Sequence, residues 1–191
     1  MSTTTPTAAA LPPAPWKTLF NAHLSSLKSP EFVLGTLASA PSGSPTPLVP
    51  RVRYCIHRGF FAELPENKHN TAPRNPAVYQ SDCPTFTTDV RMEKVGQIFA
   101  TSAGHAESSF KNPPPGQRVE EPYDDKNLAL GSKADDLNDP VARKNFRLVV
   151  IVPDEVEQTD LSDPEKGRRY RYTFDESAKT NGGWRTEELW P

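Results

Sequence analysis

Two short segments hold most of the residues whose types and spacing could do chemistry. One is Arg53-Tyr-Cys-Ile-His-Arg58-Gly59-Phe60, and the other is Phe86-Thr-Thr-Asp-Val-Arg91-Met-Glu-Lys94. In the first, two guanidinium groups sit five residues apart, one on a strand and one at its end. In the second, a strand delivers the hydroxyls of Thr87 and Thr88, then turns into a helix whose start carries Arg91 and Lys94. Guanidinium, ammonium and hydroxyl groups are phosphate donors, and the free N–H groups of a helix start favour an anion as well. Further cations cluster at Arg51, Arg53 and Arg58, and at Lys166, Arg168, Arg169 and Arg171. In a chain of formal net charge −2 such clusters suit a compact anion. A solvated face is the competing account of any one of them.

Other chemistries lack their residues. There is no Gly-x-Gly-x-x-Gly, no phosphate-binding P-loop and no His-Glu-x-x-His, and no serine elbow. Cys55-x-His57 offers two ligands, and two do not make a zinc site, so no metal is expected. His23 falls on an apolar helix face and reads as a core-edge residue. The near-neutral charge favours neither nucleic acid nor an anionic membrane. No apolar run approaches the ~20 residues of a membrane span. Residues 1–13 lack the basic start and apolar stretch of a signal peptide. With Cys55 and Cys83 as the two cysteines, no disulfide framework arises, and a cytoplasmic location is the expectation.

The elements that must position these groups read as mainly β. Residues 1–13 form an expected disordered arm, and 14–191 a single domain. Pro15 opens a helix in which Trp16, Leu19, Phe20, His23, Leu24 and Leu27 share one face, ended by Pro30. Phe32–Ala40 and Val49–Arg58 pair as a hairpin. Val52, Tyr54 and Ile56 lie on one face of the second strand, Arg51, Arg53, Cys55 and His57 on the other, and the first of these faces is expected to be the buried one. Pro84–Thr88 is a strand, Asp89 a cap and Val90–Thr101 a helix. Asp139-Pro140 opens a short helix. Phe146–Val152 reads as a strand buried on both faces. Strands are also expected over 156–161, 168–174 and 184–189, together forming one antiparallel sheet that curls toward a barrel. Proline, at 21 of 191 residues, is about twice the usual share, and 102–139 reads as a long proline-rich loop.

Several of these motifs together are specific. Arg-x-x-x-x-Arg-Gly-Phe over Arg53–Phe60, and Phe-Thr-Thr-Asp-x-Arg-x-x-Lys over Phe86–Lys94, resemble the pyridoxamine 5′-phosphate oxidase-like family, particularly its branch in fungi and cyanobacteria. So do the Ala14-Pro-Trp-Lys opening, Phe110-Lys-Asn-Pro-Pro-Pro-Gly116, and the tail from Arg168-Arg-Tyr-Arg-Tyr172 to Gly183-Trp-Arg-Thr-Glu-Glu-Leu-Trp-Pro191. The resemblance covers most of 14–101 and 109–191.

It implies a mainly β fold with appended helices, the FMN-binding split β-barrel, dimerising with the flavin at the subunit interface. It implies FMN as cofactor, a flavin-dependent oxidoreductase activity on a small-molecule substrate, and a homodimer if the barrel is complete. A non-catalytic flavin- or haem-binding module, or a shortened non-binding product, is the alternative. Arg53 and Arg58 would meet the FMN phosphate and flavin edge, and the backbone of Tyr54, Cys55 and Ile56 would line the ring. Thr87 and Thr88 would hold ribityl or ring atoms, Arg91 and Lys94 the phosphate, and Arg169 would reach in from the C-terminal strand. No catalytic residue is singled out. Met92 stands where many members carry serine, and Glu157 lacks the following tryptophan of authentic oxidases. Two strands that relatives carry are missing between Thr101 and Phe110, near 102–109, and an incomplete barrel should leave the surface around Val95, Ile98 and Phe99 more exposed than in a complete relative.

Overall fold

The computed structural model describes residues 12–63, 80–99, 118, 139–178 and 181–191. Helix α1 (Lys17–Ser26) precedes strands β1 (Glu31–Ser39), β2 (Leu48–Phe60) and β3 (Pro84–Asp89). Helices α2 (Glu93–Phe99) and α3 (Pro140–Asn145) come next, then β4 (Phe146–Val150), β5 (Glu155–Asp160), β6 (Arg168–Phe174) and β7 (Trp184–Leu189). The fold is mainly β and every pairing is antiparallel. The expected single sheet is divided in two: β1-β2-β3-β4 and β5-β6-β7. No ladder joins them among the described residues, and the barrel is not closed there. The expected gap after Thr101, the 102–139 loop and most of the N-terminal arm lie outside the described residues.

The two sheets meet at α1. Trp16 packs on Phe60 of β2, with ring centroids 6.1 Å apart, and edge-on against Trp184 of β7 at 5.8 Å. Ala14, Trp16, Phe60, Tyr172 and Trp184 form the buried cluster, with Phe20, Val156 and Tyr170 packed against it. Polar ties surround this core. The Lys17 ammonium donates to Glu63 at 2.8 Å and to the Ser81 carbonyl at 2.7 Å, and lies 4.3 Å from the centre of the Phe60 ring. Asp82 accepts from the Ala14 backbone N–H and from the Trp184 indole. The helical stripe is narrower than its spacing predicts: Trp16 is buried and Phe20 and Leu24 are half-buried, while Leu19, His23 and Leu27 face solvent.

The hairpin inverts the expected faces. Val52 is 70% exposed and Tyr54 76%, with Val33 and Leu37 beside them on the same outer face. Cys55 and His57 are buried, and Arg53 is half-buried. Alternation separates the two faces of a strand but does not say which one is covered. Here the covered face is the one shared by Phe32, Cys55, His57 and Phe86, in which Phe32 and Phe86 pack edge-on at 5.6 Å, and on which α2 lies. Val95 of α2 is buried and Ile98 half-buried. The side chain of Phe99 lies outside the described residues. β4, expected to be buried on both faces, is half-buried throughout, because it ends the sheet and pairs with β3 alone among the described residues. α2 is shorter than the 90–101 expectation. Asp89 does not cap it directly: its carboxylate accepts from the Arg91 backbone N–H, in a turn that delays the helix to Glu93.

Because Trp16 fills the junction between the sheets, Trp16→Ala should cost about 3–5 kcal/mol of stability. Urea unfolding followed by tryptophan fluorescence checks this. A loss below about 1 kcal/mol, the level of a surface substitution, would show that the sheets are held together elsewhere.

Candidate functional site

β2 presents Arg53, Cys55 and His57 to the covered face, and α2, which packs on β1, reaches Arg53 through Gln97. β3 pairs with it so that Phe86 lies opposite His57, which places Thr88, two residues on, on that same face. Lys94 enters from α2 and is 8% exposed. Arg53 and Lys94 both bear electrostatically on the Cys55 thiol, pulling its pKa down against the burial that pushes it up more strongly. Arg53, Cys55, Thr88 and Lys94 thus stand on one covered face, and Arg53 and Lys94 make the candidate recess there positively charged.

Nothing negative among the described residues offsets these charges. Arg53 donates from Nη1 to the Thr36 hydroxyl at 2.5 Å and from Nη2 to the Gln97 carbonyl at 2.9 Å, both neutral acceptors. Lys94 has no hydrogen bond or ion pair among the described residues. Two neighbouring cations without a countercharge favour an anion between them. Thr88 makes only long contacts there, to the Asp89 carbonyl at 3.5 Å and the Met92 sulfur at 3.4 Å, which leaves its hydroxyl weakly committed.

The remaining expected residues stand elsewhere or are engaged. The Arg58 Nε donates to Thr87 Oγ1 at 3.3 Å. Thr87 points to the side opposite Phe86 and Thr88, so the expected single pocket divides, with the Arg58–Thr87 pair on the far face. Arg58 itself lies within a register shift of β2 at His57/Gly59, where Gly59 takes φ +111, a region that side chains rarely adopt. Tyr54 and Ile56 also face away from the recess. Arg91 is bound by Asp89, which is 1% exposed, through Nε at 3.0 Å and Nη2 at 2.7 Å, and this bond raises the Arg91 pKa. Arg169 lies in the second sheet, ion-paired to Glu157. The Glu157 carboxyl is held below its usual range by Arg169 and Arg171.

Thr36 and Gln97 were not legible as site residues. Gln97 lies three positions beyond Lys94, on the same helix side, but its partner on β1 is set only by the pairing of the hairpin. No group of three or more potential metal ligands occurs among the described residues, and no described helix is long and apolar enough to cross a membrane.

The family model described as pyridoxamine 5′-phosphate oxidase, FMN-binding domain, matches residues 13–113, just over half of the chain. Among solved structures, the chain is similar to a pyridoxamine 5′-phosphate oxidase-related, FMN-binding protein from Nostoc punctiforme PCC 73102. The TM-score is 0.58 at 18% identity, covering 93% of this chain and 98% of that one. That degree of likeness supports a common fold. No curated protein matches by sequence.

His57 provides a test of the covered face. It is buried between Phe20 and Phe60, ring centroids 5.5 Å from each, and burial lowers its pKa below the ordinary 6.5. The unfolded chain therefore binds this proton more readily than the folded one. Stability should be intact above pH 6.5 and fall as pH drops from there toward the lowered folded value. Denaturant unfolding at a series of pH values should show this slope in the native chain and a flatter one in His57→Gln. Equal slopes would place the imidazole in solvent.

Proposed function

We infer that this chain, which belongs to the family of pyridoxamine 5′-phosphate oxidase FMN-binding domains, holds FMN with the phosphate in the recess of Arg53, Thr88 and Lys94. The observation that carries this reading is Lys94, 8% exposed as a residue, together with Arg53, two cations with no carboxylate partner among the described residues. A phosphate supplies the missing charge and takes charge-assisted hydrogen bonds from both. Arg53 has committed two of the five N–H donors of a guanidinium, and three remain for a ligand. The donor set therefore fits the cofactor's anionic end.

The rest of the expected set takes subordinate roles. Arg58 and Thr87, on the opposite face, cannot bind the same phosphate oxygens and are assigned to other parts of the ligand. So is the backbone of Tyr54, Cys55 and Ile56. Arg91 fixes the β3–α2 turn through Asp89, and Arg169 reaches a ligand only by releasing Glu157. Bound FMN supplies hydride and electron transfer, so the activity implied is a flavin-dependent oxidation or reduction of a small molecule. The chain's own contribution is to anchor, orient and hold positive charge. Cys55 and Cys83 are free thiols, which suits a reducing cytoplasm.

A second copy of the chain is the partner this reading calls for. Val33, Leu37, Val52 and Tyr54 make an uncovered apolar face on the back of the hairpin that carries Arg53, and such a face favours association.

Fluorescence titration with FMN and with riboflavin tests the phosphate assignment. Arg53→Ala and Lys94→Ala should each weaken FMN about tenfold or more and leave riboflavin unchanged. Equal effects on both ligands would remove the phosphate from this recess. Sedimentation should give a dimer that Val52→Lys converts to monomer. A dimer unaffected by that change would place the contact elsewhere.

A further inference from the structure

We propose that Gln97, acting together with Thr36, is the positioning residue that aims Arg53 at the phosphate. This rests on the assignment of the phosphate to the Arg53–Lys94 recess. Three bonds close a ring: Arg53 Nη1 donates to Thr36 Oγ1 at 2.5 Å, Thr36 Oγ1 donates to Gln97 Oε1 at 2.7 Å, and Arg53 Nη2 donates to Gln97 Oε1 at 2.9 Å.

The polarity of this ring is forced. A guanidinium has donors only, so the Gln97 atom facing it must be the carbonyl oxygen. The Thr36 hydroxyl accepts from Arg53, so its one proton is left for Gln97. Each member comes from a different element: Thr36 from β1, Arg53 from β2 and Gln97 from α2. Thr36 is the diagonal neighbour of Arg53, which pairs directly with Leu34. Gln97 lies one turn beyond Lys94, so the helix that brings the ammonium also brings the clamp.

Neutral acceptors matter here. Arg91 and Arg169 are held by the carboxylates of Asp89 and Glu157, which orient them and cancel their charge. Thr36 and Gln97 orient Arg53 and leave its charge whole. A long side chain otherwise gives up rotamer freedom on binding, and a guanidinium already fixed avoids that cost. A tie that merely docked α2 on β1 would have no preference for a phosphorylated ligand.

The test titrates FMN and riboflavin into the full-length chain and into Gln97→Leu, Thr36→Val and Thr36→Ser, with thermal melting to establish that each variant is folded. Gln97→Leu and Thr36→Val should weaken FMN about tenfold while riboflavin is unchanged, and Thr36→Ser, which keeps the hydroxyl, should bind FMN as the native chain does. In the ligand-free chain the Arg53 side-chain N–H signals should show slow guanidinium rotation that Gln97→Leu abolishes. If Gln97→Leu keeps the native preference for FMN, or loses both ligands equally, the positioning role is overturned and the phosphate site stands. If the native chain binds FMN and riboflavin alike, the phosphate site itself is overturned, and this role with it. If Gln97→Leu does not fold, Thr36→Val decides by the same comparison.

Discussion

The packing of Trp16 and Lys17 between the two sheets is the constraint on which the remaining structure depends. Backbone hydrogen bonds hold each sheet together, yet none joins the two as a ladder among the described residues. Side-chain burial joins them instead. The Trp16 indole contacts Phe60 from one sheet and Trp184 from the other, and a large aromatic surface removed from water is a strong non-directional attraction. Lys17 supplies the direction. Its ammonium is satisfied by Glu63 and the Ser81 carbonyl, while Asp82 binds both the Ala14 backbone and the Trp184 indole. The segment at 81–83 is thereby fixed against α1 and β7, and it leads directly into β3, the strand that carries Thr87 and Thr88.

That chain of contacts reaches the recess through β2. Phe60 ends the strand in the aromatic core, and seven residues earlier Arg53 stands under α2. A thirteen-residue strand carries order from the junction to the site without a hinge. Arg58 meets Thr87 on the other face, because an odd spacing of five residues along a pleated strand reverses the side. The shift at His57/Gly59 brings Phe60 back to the face of His57, where the two rings pack. The two arginines that the motif spaces five apart thus end on opposite sides of one sheet.

Electrostatics divides the arginines in a similar way. Glu157 takes up Arg169 and Arg171, so the cationic cluster near the C-terminus becomes a cross-strand ion ladder on a solvated face, the competing reading of such clusters. Asp89 takes up Arg91. Arg53 and Lys94 are left with neutral partners or none, at a partly buried position where each charge counts for more than in open water. A recess of this kind selects for an anion by charge before any shape complementarity applies.

Much of this could be read along the chain. The strand positions came from alternation and from Gly/Pro punctuation, to within a residue or two for β5, β6 and β7. The α3 start came from Asp139-Pro140, and the family from the order of its motifs, because each of these signals is local. Arg53, Thr88 and Lys94 were legible as candidate phosphate donors by residue type alone. Three things were missed. The buried face of the hairpin was missed because both faces of β2 alternate equally well, and only the arrival of Phe32, Phe86 and α2 decides which is covered. The separation of Arg58 from Arg53 was present in their odd spacing but was passed over because the family motif names the two together. Thr36 and Gln97 were missed because a threonine and a glutamine sixty-one residues apart carry no mutual signal until the hairpin register and the seat of α2 bring them to one guanidinium. Sequence determines what each element can offer, and tertiary packing decides which of those offers meet, since contact depends on which face is desolvated and on nothing a single strand contains.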